Sequence, residues 1–213
     1  MTATDLERPK RRRADTVERL LDAALETFAE RGFAAATVEE ICGRGGFTRG
    51  AFYSSFSTKD ELFAALYTRE VARDVGRAEE LLADLADEPD PVVAAVDRCL
   101  GVMRTDRTWT LVATEYALLS ARRADAAELL DRHRSALVAQ VGDLLERAVT
   151  GAGLRLTQPA ADLARTICAL HEGLGLQCVS EPDTCTAAET VAALERPALL
   201  ALLRAATAPR PTD

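Results

Sequence analysis

Thr48, Arg49, Tyr53, Ser54, Ser55 and Lys59 lie close together in the sequence, and their chemistry is recognition rather than bond-making. An arginine can donate two hydrogen bonds to a guanine edge. Tyrosine and serine hydroxyls can bond phosphate oxygens, and a lysine can sit against a phosphate. Gly50 and Ala51, between these side chains, are small enough to let the backbone approach the floor of a groove. Phe47, Phe52 and Phe56 supply apolar anchors beneath them. Thr37 and Arg44 upstream, and Arg12 and Arg13 near the amino end, add hydroxyl and cationic groups of the same kind.

Such a set acts together only if short helices hold it. The segment Thr37-Val-Glu-Glu40 fits a capping box, in which hydroxyl and carboxylate satisfy each other's backbone N–H groups. A short helix is predicted from there to about Arg44. Gly43, Gly45 and Gly46 then allow a sharp turn with positive φ. Thr48 is a suitable N-cap for a second short helix, Arg49 to about Ser55, and Ser57 or Thr58 can cap a longer one beginning at Lys59. Before them, Val17, Leu20, Leu21, Ala24, Leu25 and Phe28 recur at helical spacing over 15–31, stopped by Gly32. Two short helices joined by a glycine-bearing turn are the geometry of a helix-turn-helix. The predicted contacts to duplex DNA are therefore Thr37, Arg44, Thr48, Arg49, Gly50, Ala51, Tyr53, Ser54, Ser55 and Lys59, with Arg12 and Arg13 from the arm.

Taken in order, Thr37-Val-Glu-Glu-Ile41, Gly46-Phe-Thr-Arg-Gly-Ala-Phe-Tyr53 and the run Tyr53, Phe56, Lys59, Leu62 resemble the TetR family of bacterial regulators over residues 15–65. The resemblance implies an all-α chain: a three-helix DNA-binding head followed by a helical ligand-binding and dimerisation bundle, about nine helices in total. It also implies a dimer on a near-palindromic operator, repression, and release by a small-molecule inducer. Two departures stand out. Gly45-Gly-Phe47 replaces the Ala-Gly-Val stretch common at the turn, and Ser54-Ser55 replaces an aromatic-His pair.

Charge supports a division into a head at about 1–60 and a body at about 61–213. The chain carries a net −8, yet residues 1–60 hold ten Lys/Arg against ten Asp/Glu, so the whole excess of acid lies further on. Arg8, Lys10, Arg11, Arg12 and Arg13 form a basic cluster in a polar segment containing Pro9, which reads as a flexible arm over 1–13. Affinity for DNA depends on cations at the phosphate contacts, not on the total. Five cysteines at irregular spacing do not make a disulfide framework, and no apolar run suggests a signal peptide or a membrane span. A cytoplasmic protein with reduced thiols and no cofactor is expected.

Past residue 60 the pattern is helical throughout, with helices predicted at about 91–104, 107–121, 125–150, 158–180 and 186–207. Breaks are expected near 105–107 and 181–183, and disorder over 208–213. Pro197 is expected to kink the last helix or start a new segment. The helices at 158–180 and 186–207 are apolar on more than one face, which predicts burial on more than one side and a homodimer through them. Met103, Trp109, Glu115, Tyr116, His133, His171 and Gln177 are the candidates for lining a ligand cavity. Two other readings remain: a DNA-binding regulator without an inducer, constitutive or partner-controlled, and, more remotely, a metal protein or enzyme using Cys168, His171 and His133. With only two histidines, no Cys-x-x-Cys, and no nucleophile elbow or phosphate-cradling loop, neither catalytic residues nor a metal site is expected.

Overall fold

The computed structural model describes residues 3–101, 103, 107–180 and 187–210, with side chains described outside 3–12 and 187–191. Among these residues the chain forms nine α-helices and two three-residue strands. In order they are α1 (Ala3–Arg31), α2 (Val38–Gly45), α3 (Arg49–Tyr53), α4 (Lys59–Leu81), α5 (Pro91–Leu100), α6 (Arg107–Ser120), α7 (Ala124–Gly151), β1 (Leu154–Leu156), α8 (Ala160–Ser180), α9 (Ala187–Ala206) and β2 (Thr207–Pro209).

Several elements start where their caps require. Thr37 caps α2 as half of a complete capping box with Glu40, and Gly46 closes that helix at φ 73°. Thr48 Oγ1 accepts from Ala51 N at 3.3 Å at the start of α3. Of the two candidates before α4, Thr58 makes the cap, accepting from Glu61 N at 3.0 Å, while Glu61 Oε2 accepts from Ser57 N at 2.7 Å. Asp90 caps α5, with Pro91 in the first turn, where the missing N–H costs nothing.

Some expectations are corrected. The arm is helical from Ala3 onward rather than flexible. Leu6, Glu7 and the run of Arg and Lys are good helix formers, and a helix already nucleated further on extends through them, although Pro9 leaves one backbone hydrogen bond unmade. The segment after Ala206 is not disordered up to Pro209: β2 pairs antiparallel with β1, Leu154 opposite Pro209 and Leu156 opposite Thr207. Pro197 starts no new segment, since it lies inside α9. Cys178 is disulfide-bonded, whereas Cys42, Cys99 and Cys168 are free thiols. A single bridge is compatible with an odd cysteine count. The breaks expected near 105 and 181–183, the end of the chain past Arg210, and the Arg12 side chain also lie outside them.

The residues group into two compact units that are not contiguous in sequence. The first comprises Met1–Arg69 and Leu111–Leu130, the second Glu70–Thr110 and Asp131–Asp213. A cut after residue 60 would fall inside α4, a continuous helix. In the second unit Leu82, Leu85 and Leu144 form a core with Ala78, Ala94, Ala95, Cys99, Ala148 and Ala152 around it. α9 packs on α5 and α8, with Arg196–Asp97 and Arg204–Asp90 ion pairs along the α5 side.

The first unit is built on aromatic rings. Phe63 stacks on Tyr116 with centroids 3.7 Å apart, and Phe33 meets Phe28, Phe63 and Tyr116 at 5.0, 5.9 and 4.9 Å. Phe33 lies in the turn after α1, so its backbone is drawn inward and its polar groups need partners. Glu115 Oε2 accepts from Phe33 N at 2.9 Å. Lys59 Nζ donates to the carbonyls of Phe33, Ala34 and Ala36 at 2.8, 3.4 and 2.5 Å. Tyr116, fully buried, donates to Asp60 Oδ1 at 3.0 Å, and Arg123 reaches the same oxygen at 3.4 Å.

Phe63→Ala is expected to lower the stability of this unit by about 3–5 kcal/mol. Glu115→Ala, which leaves the Phe33 N–H unpaired, is expected to lower it by about 1–3 kcal/mol. Both are read from urea unfolding, and wild-type midpoints would refute the role given to the turn.

Candidate nucleic-acid interface

α3 is a single short helix held by two anchors. Phe52 and Phe56 are buried, Phe52 fully, and hold its inner side. Thr48, Arg49, Gly50, Tyr53 and Ser54 are exposed, and Ala51 and Ser55 are half-buried. Tyr53 keeps 51% of its surface open and rests edge-on against Phe52. A β-carbon added at Gly50 would meet nothing nearer than Thr48 Oγ1 at 3.7 Å, so nothing crowds the outer side of the helix there. The Gly46 turn presents α3 at a fixed angle to α2, helped by Arg19, whose Nη2 donates to Gly45 O at 2.9 Å while its guanidinium lies 4.7 Å over the Phe47 ring.

The expected contact residues divide into three groups. Thr48, Arg49, Gly50, Tyr53 and Ser54 share the exposed side of α3 and its cap, and Arg13 joins them, its Nη2 donating to Ser54 O at 3.2 Å. Thr37 is exposed but its hydroxyl and N–H both engage Glu40. Arg44 and Lys59 are turned elsewhere. Arg44 pairs with Glu26 at 3.1 Å and with Glu30 on α1. Lys59 was expected beside a phosphate; its ammonium instead donates to three carbonyls of the turn, and burial pulls its pKa below the ordinary lysine value. The Ser55 hydroxyl oxygen is buried without a hydrogen-bond partner, so it is not presented to an incoming phosphate.

Spacing along the sequence gave no sign of the carboxylates that accompany these cations. Arg49 Nη1 lies 2.8 Å from Glu39 Oε1, and Arg31 pairs with Glu40 at 3.1 Å. Arg69, nearly buried, pairs with Asp22 at 2.8 Å and Glu18 at 3.4 Å. Tyr53 first, and the charge of Glu39 next, hold the Arg49 guanidinium above its ordinary pKa. The Glu40 carboxyl is held below its usual range, chiefly by the Thr37 N–H. A polar groove of about 520 Å³ beside α2 is lined by Thr27, Glu30, Arg31, Glu40 and Arg44.

The expected ligand-lining residues are drawn from both units. Glu115 and Tyr116 belong to the first unit, where both serve the turn and the aromatic core. Met103, Trp109, His133, His171 and Gln177 belong to the second. There His171 Nδ1 lies 3.1 Å from both oxygens of the fully buried Glu195. Burial and Arg132 lower the pKa of His133, while Cys168 is raised to about 11 by burial. Among the described residues no three His, Cys, Asp or Glu side chains gather as metal ligands, and no helix is long and apolar enough to cross a membrane.

Comparison with known proteins gives two family matches. Residues 20–66 match the family described as bacterial regulatory proteins, tetR family, and residues 90–204, more than half of the chain, match the BetI-type transcriptional repressor C-terminal family. Among curated relatives, the uncharacterized HTH-type transcriptional regulator YfiR of Bacillus subtilis is 24% identical over 160 residues, 73% of this chain and 76% of that one. The HTH-type transcriptional activator FasR of Mycolicibacterium smegmatis is 37% identical over 78 residues, 37% of this chain and 36% of that one.

Solved structures share the fold over nearly the whole chain. A TetR-family regulator from Rhodococcus sp. superposes with a TM-score of 0.71 at 19% identity, covering 91% of this chain and 98% of its own. FadR of Bacillus subtilis in complex with stearoyl-CoA scores 0.64 at 16% identity, covering 87% and 96%. A regulator from Saccharomonospora viridis in complex with choline scores 0.63 at 19% identity, covering 90% and 96%. A helix pair with one outward, polar, arginine-bearing helix on a buried aromatic floor, followed by a matching helical body, has the parts of a DNA-binding regulator rather than of an enzyme, and the chain belongs to the TetR family of bacterial transcriptional regulators.

Proposed function

We propose that this regulator binds a near-palindromic operator as a homodimer, acts as a repressor, and is released from DNA by a small molecule. The observation that carries the DNA part of this reading is the outer side of α3, where Thr48, Arg49, Gly50, Tyr53 and Ser54 are open while Phe52 beneath them is closed off. In that reading α3 enters the major groove, Arg49 bonds a guanine, Tyr53 and Thr48 bond phosphates, and Arg13 with the rest of the basic arm follows the backbone. The head is residues 1–60 in function, with its packing completed by 111–130.

Dimerisation is assigned to α8 and α9. Leu176 and Leu194 keep 42% and 54% of their surface exposed on these helices, apolar area that a second copy would cover. A two-fold pair then sets the reading helices about 34–36 Å apart, one turn of DNA. Ligand control draws its support from the structural neighbours crystallised with choline and with stearoyl-CoA. Met103, Trp109, His133, His171 and Gln177 are the side chains assigned to it here, since Glu115 and Tyr116 have work in the first unit. Repression follows the BetI-type match of the body, whereas the relative named as an activator matches over only 78 residues. A ligand must favour the conformation that does not fit the operator, and the operator disfavours the ligand by the same factor.

Selection of bound sites from random duplex DNA is expected to return a palindrome with half-sites about one helical turn apart. A site without two-fold symmetry would refute the dimer. Arg49→Ala and Tyr53→Ala are each expected to weaken binding to that site by about ten- to a hundredfold with unchanged melting temperature. Wild-type affinity in both would refute the placement of α3.

A further inference from the structure

The outer side of α3 carries a feature that favourable contacts with DNA do not call for. Its first residue, Arg49, is tied to a carboxylate, Glu39 on α2, at 2.8 Å, and both side chains are more than half exposed. The other carboxylate-paired arginines of the first unit bind α1, α2 or α4 to their neighbours or anchor Arg123 beside Asp60. Among the described residues, Glu39–Arg49 is the ion pair that includes a residue of α3 itself. An exposed pair of this kind contributes little to folding, because solvent screens it. Its consequence lies in what Arg49 can do when DNA arrives.

Arginine has five N–H donors in a planar fork, enough to hold a carboxylate with one edge and the two acceptors of a guanine with another. It cannot hold the carboxylate and swing freely to any phosphate within reach. Tyr53 limits the guanidinium from a second direction, its ring centroid 5.9 Å away. Glu39 also places a negative charge at the mouth of the groove, and at contact range this charge is well inside the screening length of about 8 Å at physiological salt. On an arbitrary duplex, the carboxylate repels phosphate and withholds the arginine from it. On the right sequence, the same carboxylate aims the arginine at the base edge.

We propose that Glu39 is a specificity-determining residue: by holding Arg49 at the start of the reading helix, it suppresses binding to arbitrary DNA more than binding to the operator. The inference rests on the placement of α3 in the major groove and deepens it. Selectivity obtained by penalising the wrong partner is a general route to discrimination when attractive contacts alone are similar.

The test uses the full chain and two duplexes of equal length, the operator selected as above and a scrambled version of it. Glu39→Gln is expected to tighten binding to the scrambled duplex by about two- to fivefold while leaving the operator unchanged or weaker. The salt dependence on the scrambled duplex is expected to steepen by about one phosphate contact, a slope change near ~0.9. In the Arg49→Ala background the same change should shift both duplexes equally and leave the ratio alone. The proposal is overturned if Glu39→Gln leaves the wild-type ratio intact, or if the ratio falls equally with Arg49 absent. A wild-type chain that binds the two duplexes equally would instead overturn the groove placement of α3, and this inference with it. Melting temperatures of all variants separate these outcomes from a loss of fold.

Discussion

A buried aromatic ring in a turn creates an obligation for the backbone around it. Phe33 sits at the centre of the first unit's ring cluster, so the N–H and C=O groups of its turn are withdrawn from water and need partners inside the protein. Two charged side chains further along the sequence provide them: the Glu115 carboxylate takes the N–H, and the Lys59 ammonium takes three carbonyls. The course of the chain from α1 to α2, and hence the direction in which α2 and then α3 are offered, depends on this arrangement. Gly32 belongs to it as well. It adopts a φ of 79°, and a β-carbon there would lie 2.8 Å from the Glu115 carboxylate.

The local parts of this structure were legible in the sequence, and the long-range parts were not. The capping box at Thr37, the cap at Thr48, the glycine turn and the buried anchors Phe52 and Phe56 all follow from residue types a few positions apart. The apolar periodicity of the body helices likewise located α5 through α9. The bonds of Lys59 and Glu115 to the Phe33 turn were hidden for one reason. A charged side chain on a helix looks like a ligand contact until the carbonyls or N–H it satisfies are known, and these lie 26 and 82 positions away. The strands β1 and β2 are too short to carry an alternating pattern, and the helical arm shows that basic composition does not by itself prevent a helix from extending.

The electrostatics of the head are more internally balanced than a basic cluster suggests. Arg31, Arg44, Arg49 and Arg69 each have carboxylate partners, and Lys59 is occupied by backbone. In the proposed reading, attraction to a duplex draws on Arg13 and on the exchange of the exposed partners of Arg31 and Arg44 for phosphate, while Arg49 keeps Glu39. Weak exposed pairs are suited to that exchange, since each gives up little when it opens. Arg69 is the exception. It is nearly buried, and its bonds to Glu18 and Asp22 tie α4 to α1.

The first unit is drawn from two separate stretches of chain, and this has a consequence for how the protein comes into being. At a synthesis rate of about 5–20 residues per second, residues up to Arg69 leave the ribosome several seconds before Leu111–Leu130 follow. During that interval the Phe63 ring lacks the Tyr116 ring it stacks on, and the turn at Phe33 lacks Glu115. The nascent head must wait, with apolar surface uncovered, for a helix encoded far downstream. That makes it a point in biosynthesis where a holding chaperone would have something to grip.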